Sequence, residues 1–247
     1  NQHVKFGRFL EFAKEKGANY IATGHYAQRI EGTGAVEMHR GVDTGKDQTY
    51  FLWSLSNQQL EQSLFPVGDT PKAGIRAEAE AAGIPVAAKK DSQGVCFLGH
   101  IDIPEFLSHY IDLVPGEVLD TEGNTIGTHK GALVYTLGQR QGFVINNENS
   151  NRTALFVVNK DTKNNTITVA AELPNVDAEG SIILTSTVLR AQVSTGDTVE
   201  LQIRYRQTPI KAIVQSIGNT TLTLKPEELM EQPASGQSCV LYRGSLC

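Results

Sequence analysis

The sequence is poor in several features that mark whole classes of protein. Its three cysteines, Cys96, Cys239 and Cys247, form an odd set without regular spacing. Such a set suggests neither a disulfide framework nor a thiolate metal cage, and a reducing, cytoplasmic setting is expected. The six histidines never approach a ligand spacing such as HxxxH, and none is near enough to a cysteine to share a cage, so no metal site is expected. No run approaches the ~20 apolar residues that cross a bilayer, and no basic-then-apolar leader opens the chain. No membrane partner is expected. Positive charge is not in excess either: 22 Lys and Arg stand against 27 Asp and Glu, a formal net charge of -5. That argues against a general nucleic-acid binder with a strongly basic surface, while leaving room for a locally basic groove.

What is present suffices for real cores. Hydrophobic residues make up 40% and charged residues 20% of the chain, too apolar a mix for disorder. A length of 247 residues fits one large domain or two to three small ones. Residues 3–16 read as a helix, with Val4, Phe6, Phe9, Leu10, Phe12 and Ala13 at three- and four-residue steps and Gly17 as its stop. Asn1 already belongs to this pattern, so the natural start is expected to have been removed. A short strand over 19–25 follows, ending in Thr23, Gly24 and His25. Helix, glycine, short strand and polar loop is α/β grammar, with the loop at the strand's carboxyl end where such sheets place ligands. A strand is expected over 36–42 and helical segments between Asp47 and Ser63, one capped by Ser56. Thr70-Pro71 reads as a Thr cap and first-turn Pro opening a helix that runs to Gly83. A further helix is expected near 103–110.

After Pro115-Gly116 the helical period fades. Short β-type runs cover 117–119, 132–135, 155–158, 166–170, 182–188, 198–203, 210–217, 221–224 and 240–242, separated by Gly, Asn, Asp and Pro turns, and residues 161–165 read as a hairpin turn. This is the signature of small β-barrels or sandwiches. The fold class expected is α/β followed by β, with boundaries near residues 110 and 173.

Several residues could carry chemistry. Cys96 lies in a polar, glycine-flanked segment just after Lys89 and Lys90, where positive charge would favour a thiolate; a small buried hydrophobe between Val95 and Phe97 is the plainer reading. His25 stands where an α/β protein exposes a side chain to a ligand, and a structural histidine fits the pattern equally. Asp91 could orient a base, hold an amine or cap a turn. Residues 41–47 look like a phosphate loop of the Walker type but are one residue short, with Asp47 where a hydroxyl should meet Mg²⁺. Lys89, Lys90, Lys130, Arg140, Arg204 and Arg206 are candidate phosphate contacts. Residues 135–143, with Tyr135, Gln139, Arg140 and flexible glycines, offer amide groups for a base edge and a guanidinium for a phosphate; a solvated β-hairpin accounts for them as well.

These stretches also carry a resemblance. Residues 1–7, Ala22-Thr23-Gly24-His25-Tyr26-Ala27, Arg40-Gly41-Val42-Asp43 with the run from Lys46 to Leu52, and Phe65-Pro66-Val67-Gly68 are similar, in order, to the bacterial tRNA-specific 2-thiouridylase family, commonly called MnmA or TrmU. So are the run from Lys90 through Cys96 to Gly99, residues 135–142, and Arg204-Tyr205-Arg206-Gln207. The resemblance covers essentially the whole chain. It implies residues 1–110 as the back half of an adenine-nucleotide α-hydrolase domain of the PP-loop, Rossmann-like type, 111–172 as a small central mostly-β domain, and 173–247 as a C-terminal β-barrel, the last two helping to hold tRNA.

It also implies roles. ATP with Mg²⁺ would activate the C2 oxygen of uridine 34 in the anticodon. A persulfide on the cysteine matching Cys96 would deliver sulfur to C2, loaded by a cysteine desulfurase or sulfur-relay protein. His25 and Asp91 would support the active site, and Lys89, Lys90, Lys130, Gln139, Arg140, Arg204 and Arg206 would meet tRNA. A second cysteine with a nearby aspartate, and the pyrophosphate loop, are expected upstream of Asn1. By that expectation the chain alone is inactive, holds no cofactor tightly and self-associates through an open first domain. Two other readings remain: a non-catalytic module that holds the anticodon arm, and an unrelated PP-loop ligase or sulfurtransferase.

Overall fold

The chain opens with a π-helical turn, Val4–Arg8, running into an α-helix, Phe9–Glu15. In this computed structural model, residues 1–32, 34–89, 103–146, 154–176 and 180–247 are described. The opening helix stops at Gly17, whose φ of +86° is a left-handed conformation that glycine adopts without strain. The Gly17 and Ala18 amides close the last turn onto the Lys14 and Ala13 carbonyls, at 2.9 and 3.0 Å, which is a Schellman stop. The apolar set of this helix is not all inside. Phe6 and Leu10 are buried, whereas Val4, Phe9 and Phe12 are exposed. Six apolar positions cover more than one face of a 3.6-residue spiral, so burying the pair at 6 and 10 turns 9 and 12 outward.

The strand after it is shorter than expected, Ile21–Ala22, and pairs in parallel with Ser63–Leu64. Ala27–Glu31 and Val36–Arg40 form an antiparallel hairpin, followed by a 3-10 turn, Thr49–Phe51, and a helix, Asn57–Glu61. Ser56 caps that helix as the sequence suggests. Its hydroxyl accepts from the Gln59 amide while the Gln59 side chain accepts from the Ser56 amide, at 3.2 and 3.0 Å, a reciprocal capping box.

Thr70 does not cap the next helix, Lys72–Ala81. Its hydroxyl donates to the Asp69 carboxylate, and Pro71 takes the cap position. The Lys72 amide is instead accepted by the Asp43 carboxylate at 3.1 Å. A carboxylate brought from the 41–47 loop satisfies an orphan amide and complements the helix dipole at once. Gly83, with φ +68°, ends the helix. The core of this region gathers Phe6, Leu10, Ile21, Ala27, Met38, Leu52, Leu55, Leu60 and Phe65.

Near the carboxyl end of the chain, five antiparallel strands curl into one sheet, in the order Ile182–Thr185, Thr221–Pro226, Ile210–Ile217, Thr198–Gln202, Val240–Tyr242. Alternation makes its inner face: Val199 and Leu201, Ala212 and Val214, Leu222 and Leu224 are buried, while Glu200, Ile213 and Thr223 between them turn outward. Residues Asn1–Lys89, Asp177–Met230 and Gln237–Cys247 form one compact unit.

The other unit comprises Lys90–Val176 and Glu231–Gly236. It has a helix, Ile103–Ser108, and a five-stranded sheet in the order Phe143–Ile145, Thr125–His129, Gly116–Leu119, Thr166–Ala170, Phe156–Asp161. The Gly116–Leu119 and Thr166–Ala170 pair is parallel and the others are antiparallel. Residues 132–135, expected as a strand, form a 3-10 turn, Ala132–Val134, instead. The Asn165 side chain accepts from the Ala132 amide at 3.0 Å and pins the turn, burying Ala132 and Tyr135 while Leu133 stays exposed. Asp161 organises the 161–165 turn as expected, its carboxylate accepting from the Lys163 and Asn164 amides. The architecture is thus an N-terminal α/β region, a small mixed-β domain and a curled C-terminal β-sheet.

Candidate functional site

Thr23, Gly24 and His25 occupy the carboxyl end of Ile21–Ala22, the ligand-facing end of a parallel sheet. His25 is half-buried and set between two phenylalanines, its ring 5.7 Å from Phe6 and 6.4 Å, edge-on, from Phe65. Its Nε2 lies 3.4 Å from Lys5 Nζ and its Nδ1 2.9 Å from Thr23 Oγ1. An ammonium can only donate, so Nε2 accepts and the imidazole proton sits on Nδ1, donated to Thr23. Burial first, and the Lys5 charge second, pull the histidine down to about 4. His25 is therefore neutral at pH 7, with a fixed tautomer.

In the segment from Arg40 to Phe51, one carboxylate, that of Asp47, already takes two of the backbone amides that a Walker-type loop would turn to a phosphate. Asp47 is buried. It accepts from the Gly41 and Thr49 amides at 3.0 and 3.3 Å and from the Thr49 hydroxyl at 2.7 Å, with Arg40 at 3.9 Å. The same segment meets the C-terminal sheet. Thr49 Oγ1 lies 3.1 Å from the Tyr242 hydroxyl, Arg40 stacks 3.5 Å over the Tyr242 ring, and the Tyr50 hydroxyl donates to the Ile203 carbonyl at 2.8 Å. Arg190 reaches the Trp53 and Leu55 carbonyls at 2.6 and 3.0 Å. None of these partners was recognisable in the sequence, where they lie more than 100 residues apart.

Arg204 and Arg206 flank Tyr205, whose ring lies 4.5 Å from Phe51. The Gln207 side chain holds this loop by accepting from the Ile203 and Arg204 amides. Arg204 is half-buried, whereas Arg206, at a φ of +64°, is exposed. Lys89 is exposed, and its carbonyl accepts from Arg76 at 2.9 Å.

Two of the three cysteines are accounted for. Burial pushes the Cys239 thiol up to about 12. Burial also pushes Cys247 up to about 11, against the pull of Arg190, whose guanidinium lies 3.4 Å from the sulfur. Both are protonated thiols at pH 7 and poor nucleophiles. Cys96, Asp91 and Lys90 lie outside the described residues. Among the described residues no group of three or more His, Cys, Asp or Glu could hold a metal ion, and no helix is long and apolar enough to cross a membrane.

In the second unit, the loop after Tyr135 is docked on the Phe156–Asp161 strand. The Gly138 amide donates to the Val157 carbonyl and the Val157 amide to the Gln139 carbonyl, both at 2.8 Å. The Gln139 side chain is engaged at both ends, accepting from the Thr136 amide at 3.2 Å and donating to the Gln141 carbonyl at 2.8 Å. It shapes the loop, while Arg140 and Lys130 are exposed. His129, which lies in this region and was not singled out from the sequence, is buried and neutral. Its Nδ1 accepts from the Gly131 amide at 2.9 Å, so Nε2 donates to the Asn165 carbonyl at 3.1 Å.

Comparison with known proteins matches this layout. Three family models follow one another along the chain: the tRNA methyl transferase HUP domain over residues 1–100, the tRNA methyl transferase PRC-barrel domain over 104–171, and the Aminomethyltransferase beta-barrel domain over 182–247. An α/β HUP domain, a PRC-barrel and a β-barrel in succession define the class. The tRNA-specific 2-thiouridylase MnmA of Aeromonas hydrophila is 40% identical over 251 residues, covering 100% of this chain and 68% of that protein. The proteins of the same name from Shigella boydii serotype 4 and Escherichia coli K12 are each 40% identical over 252 residues, with the same coverage. The chain belongs to the tRNA-specific 2-thiouridylase family.

Proposed function

We propose that this chain carries the sulfur-transfer and tRNA-holding parts of an ATP-dependent tRNA-uridine 2-sulfurtransferase. Cys96 carries sulfur as a persulfide and delivers it to C2 of an activated uridine 34. ATP adenylates the C2 oxygen with release of pyrophosphate, the outer persulfide sulfur attacks C2, and AMP departs with that oxygen; a free thiol as co-reactant then attacks the Cys96 sulfur, breaking the S–S bond to leave the 2-thiocarbonyl and a disulfide. Residues 1–110 contribute to thiolation, with His25 and Asp91 in support. Residues 111–172 and 173–247 hold the tRNA through Lys130, Arg140, Arg204 and Arg206, with Gln139 shaping the Arg140 loop, and Lys89 and Lys90 add charge beside the cysteine.

The observation that carries this reading is the likeness along the whole of this chain to proteins named for 2-thiouridine formation. Burial disfavours the thiolate at Cys239 and Cys247, so neither competes with Cys96 for the role. That likeness, which spans this chain and 68% of those proteins, favours sulfur transfer over the methyl transfer in the family models' descriptions. The test is to express the protein with its natural flanking sequence, load it from a cysteine desulfurase, map the persulfide by mass spectrometry and analyse the nucleosides of a uridine-34 tRNA. Persulfide and 2-thiouridine are expected to disappear in Cys96→Ser and to persist in Cys239→Ser and Cys247→Ser. Near-normal thiolation by Cys96→Ser, or a methylated nucleoside as product, overturns the reading.

A further inference from the structure

Tyr135 stands apart from Tyr110, the other tyrosine of the second unit, which is exposed. Tyr135 is 2% exposed, packed against His129 at 5.4 Å and Phe143 at 6.4 Å, and its main-chain carbonyl is tied down by Lys160 Nζ at 2.9 Å. A purely apolar ring would fill that place. The hydroxyl is nevertheless present, and a buried hydroxyl costs stability unless it is bonded. It donates to the Gly142 carbonyl, seven residues on, at the far end of the loop that carries Arg140. Burial pushes the phenol up. One buried phenol thus holds the far end of the Arg140 loop.

The loop is built to receive it. Gly138 and Gly142 have φ of +84° and +97°, a conformation strained for other residues. A Cβ at Gly142 would come within 3.3 Å of Gln139 Nε2 and 3.6 Å of the Tyr135 ring, so the main chain runs close against the hydroxyl edge of the tyrosine. The two cations differ from their neighbour Lys160. Lys160 is spent on the loop's own backbone, whereas Lys130 and Arg140 are exposed, and neither side chain has an ion pair among the described residues.

Resting on the tRNA-holding reading above, we infer that the Tyr135 hydroxyl is a positioning residue for RNA binding: by holding the Gly142 carbonyl it fixes the loop that presents Arg140 to a backbone phosphate. Each cation that meets a phosphate displaces a counterion and adds to the salt dependence of binding. Fixing the loop in advance spares RNA the ordering of a glycine-rich segment. The hydroxyl touches no RNA and acts through Arg140.

The experiment measures binding of an in vitro transcribed uridine-34 tRNA across a salt titration, for the full chain and for Arg140→Ala, Tyr135→Phe and the double variant, with thermal melts alongside. Arg140→Ala is expected to weaken binding about fivefold or more and to lower the slope of log K against log salt by about 0.7–0.9, the loss of one phosphate contact. Tyr135→Phe is expected to lower the slope in the same direction, and adding Arg140→Ala to it to change affinity less than twofold. Gly142→Ala, which displaces the loop and keeps the hydroxyl, should reproduce Tyr135→Phe and guards against a variant that merely melts. If Arg140→Ala leaves affinity and slope unchanged, the tRNA-holding reading of this loop fails. If Arg140→Ala weakens binding but its effect is undiminished in the Tyr135→Phe background, the positioning role alone is refuted.

Discussion

Replacing Asp47 with alanine tests the reading of the 41–47 loop as a filled structural cradle. The carboxylate serves the Gly41 and Thr49 amides, the Thr49 hydroxyl and, more distantly, Arg40. Alanine strands the Gly41 and Thr49 amides in a buried place, while the Thr49 hydroxyl keeps Tyr242 and Arg40 keeps the Tyr242 ring. Breaking one partner of a buried charged network costs about 3–5 kcal/mol, a large share of the ~5–15 kcal/mol by which domains are stable. Asparagine keeps an acceptor oxygen of the same reach and should cost roughly half as much. The single tryptophan, Trp53, lies in this unit and accepts from Arg190, so its fluorescence in urea reports this unit. At a slope of about 2 kcal/mol/M, the alanine variant should unfold about 1.5–2.5 M earlier in urea. A loss below about 1 kcal/mol for Asp47→Ala would refute the account and reopen the loop to another role.

Two further expectations concern the same unit. His25 has a folded-state pKa of about 4, below its ordinary 6.5, so its contribution to stability is complete above about pH 6.5 and is lost as pH falls towards 4; an NMR titration of its ring should give a midpoint well below 6, rising in Lys5→Ala, and a midpoint near 6.5 in the native protein would contradict the buried neutral state. Ser56→Ala removes the capping box and should cost about 1 kcal/mol in urea unfolding, whereas Ser56→Asp, which can still accept from the Gln59 amide, should cost less; equal losses would argue against the cap.

Local chemistry was legible in the sequence and long-range chemistry was not. Gly17 and Gly83 end helices because only a left-handed residue closes those turns, and their positions announced it. Ile210–Ile217 and Val240–Tyr242 lie where alternation put them. Thr125–His129 was missed because its only large apolar residue is Ile126. Gly127 there is demanded by the neighbouring strand, since a Cβ would fall 2.0 Å from the Val144 carbonyl oxygen. Thr70 looked like a cap, but Asp43, 29 residues away, was better placed to serve the Lys72 amide. At the candidate site, the run around His25 marked the right end of a strand. Its two nitrogen partners, one of them 20 residues upstream, could be found only in three dimensions. The interest of residues 135–143 was visible in their composition. That Gln139 turns inward while Arg140 stays out follows from which backbone groups of the loop needed partners.

The bond between Thr49 and Tyr242 spans 193 residues of sequence, and that separation sets a timetable for synthesis. At about 5–20 residues per second, Thr49 is made roughly 10–40 s before Tyr242. Through that interval the amino-terminal helices and hairpin have no curled sheet to dock against, and Arg40 and Tyr50 lack the ring and carbonyl they later meet. The intervening residues can fold as their own unit meanwhile. The first unit reaches its final form only once its closing strand has been translated, so its nascent half is the stage of the protein's life most exposed to chaperones and proteases.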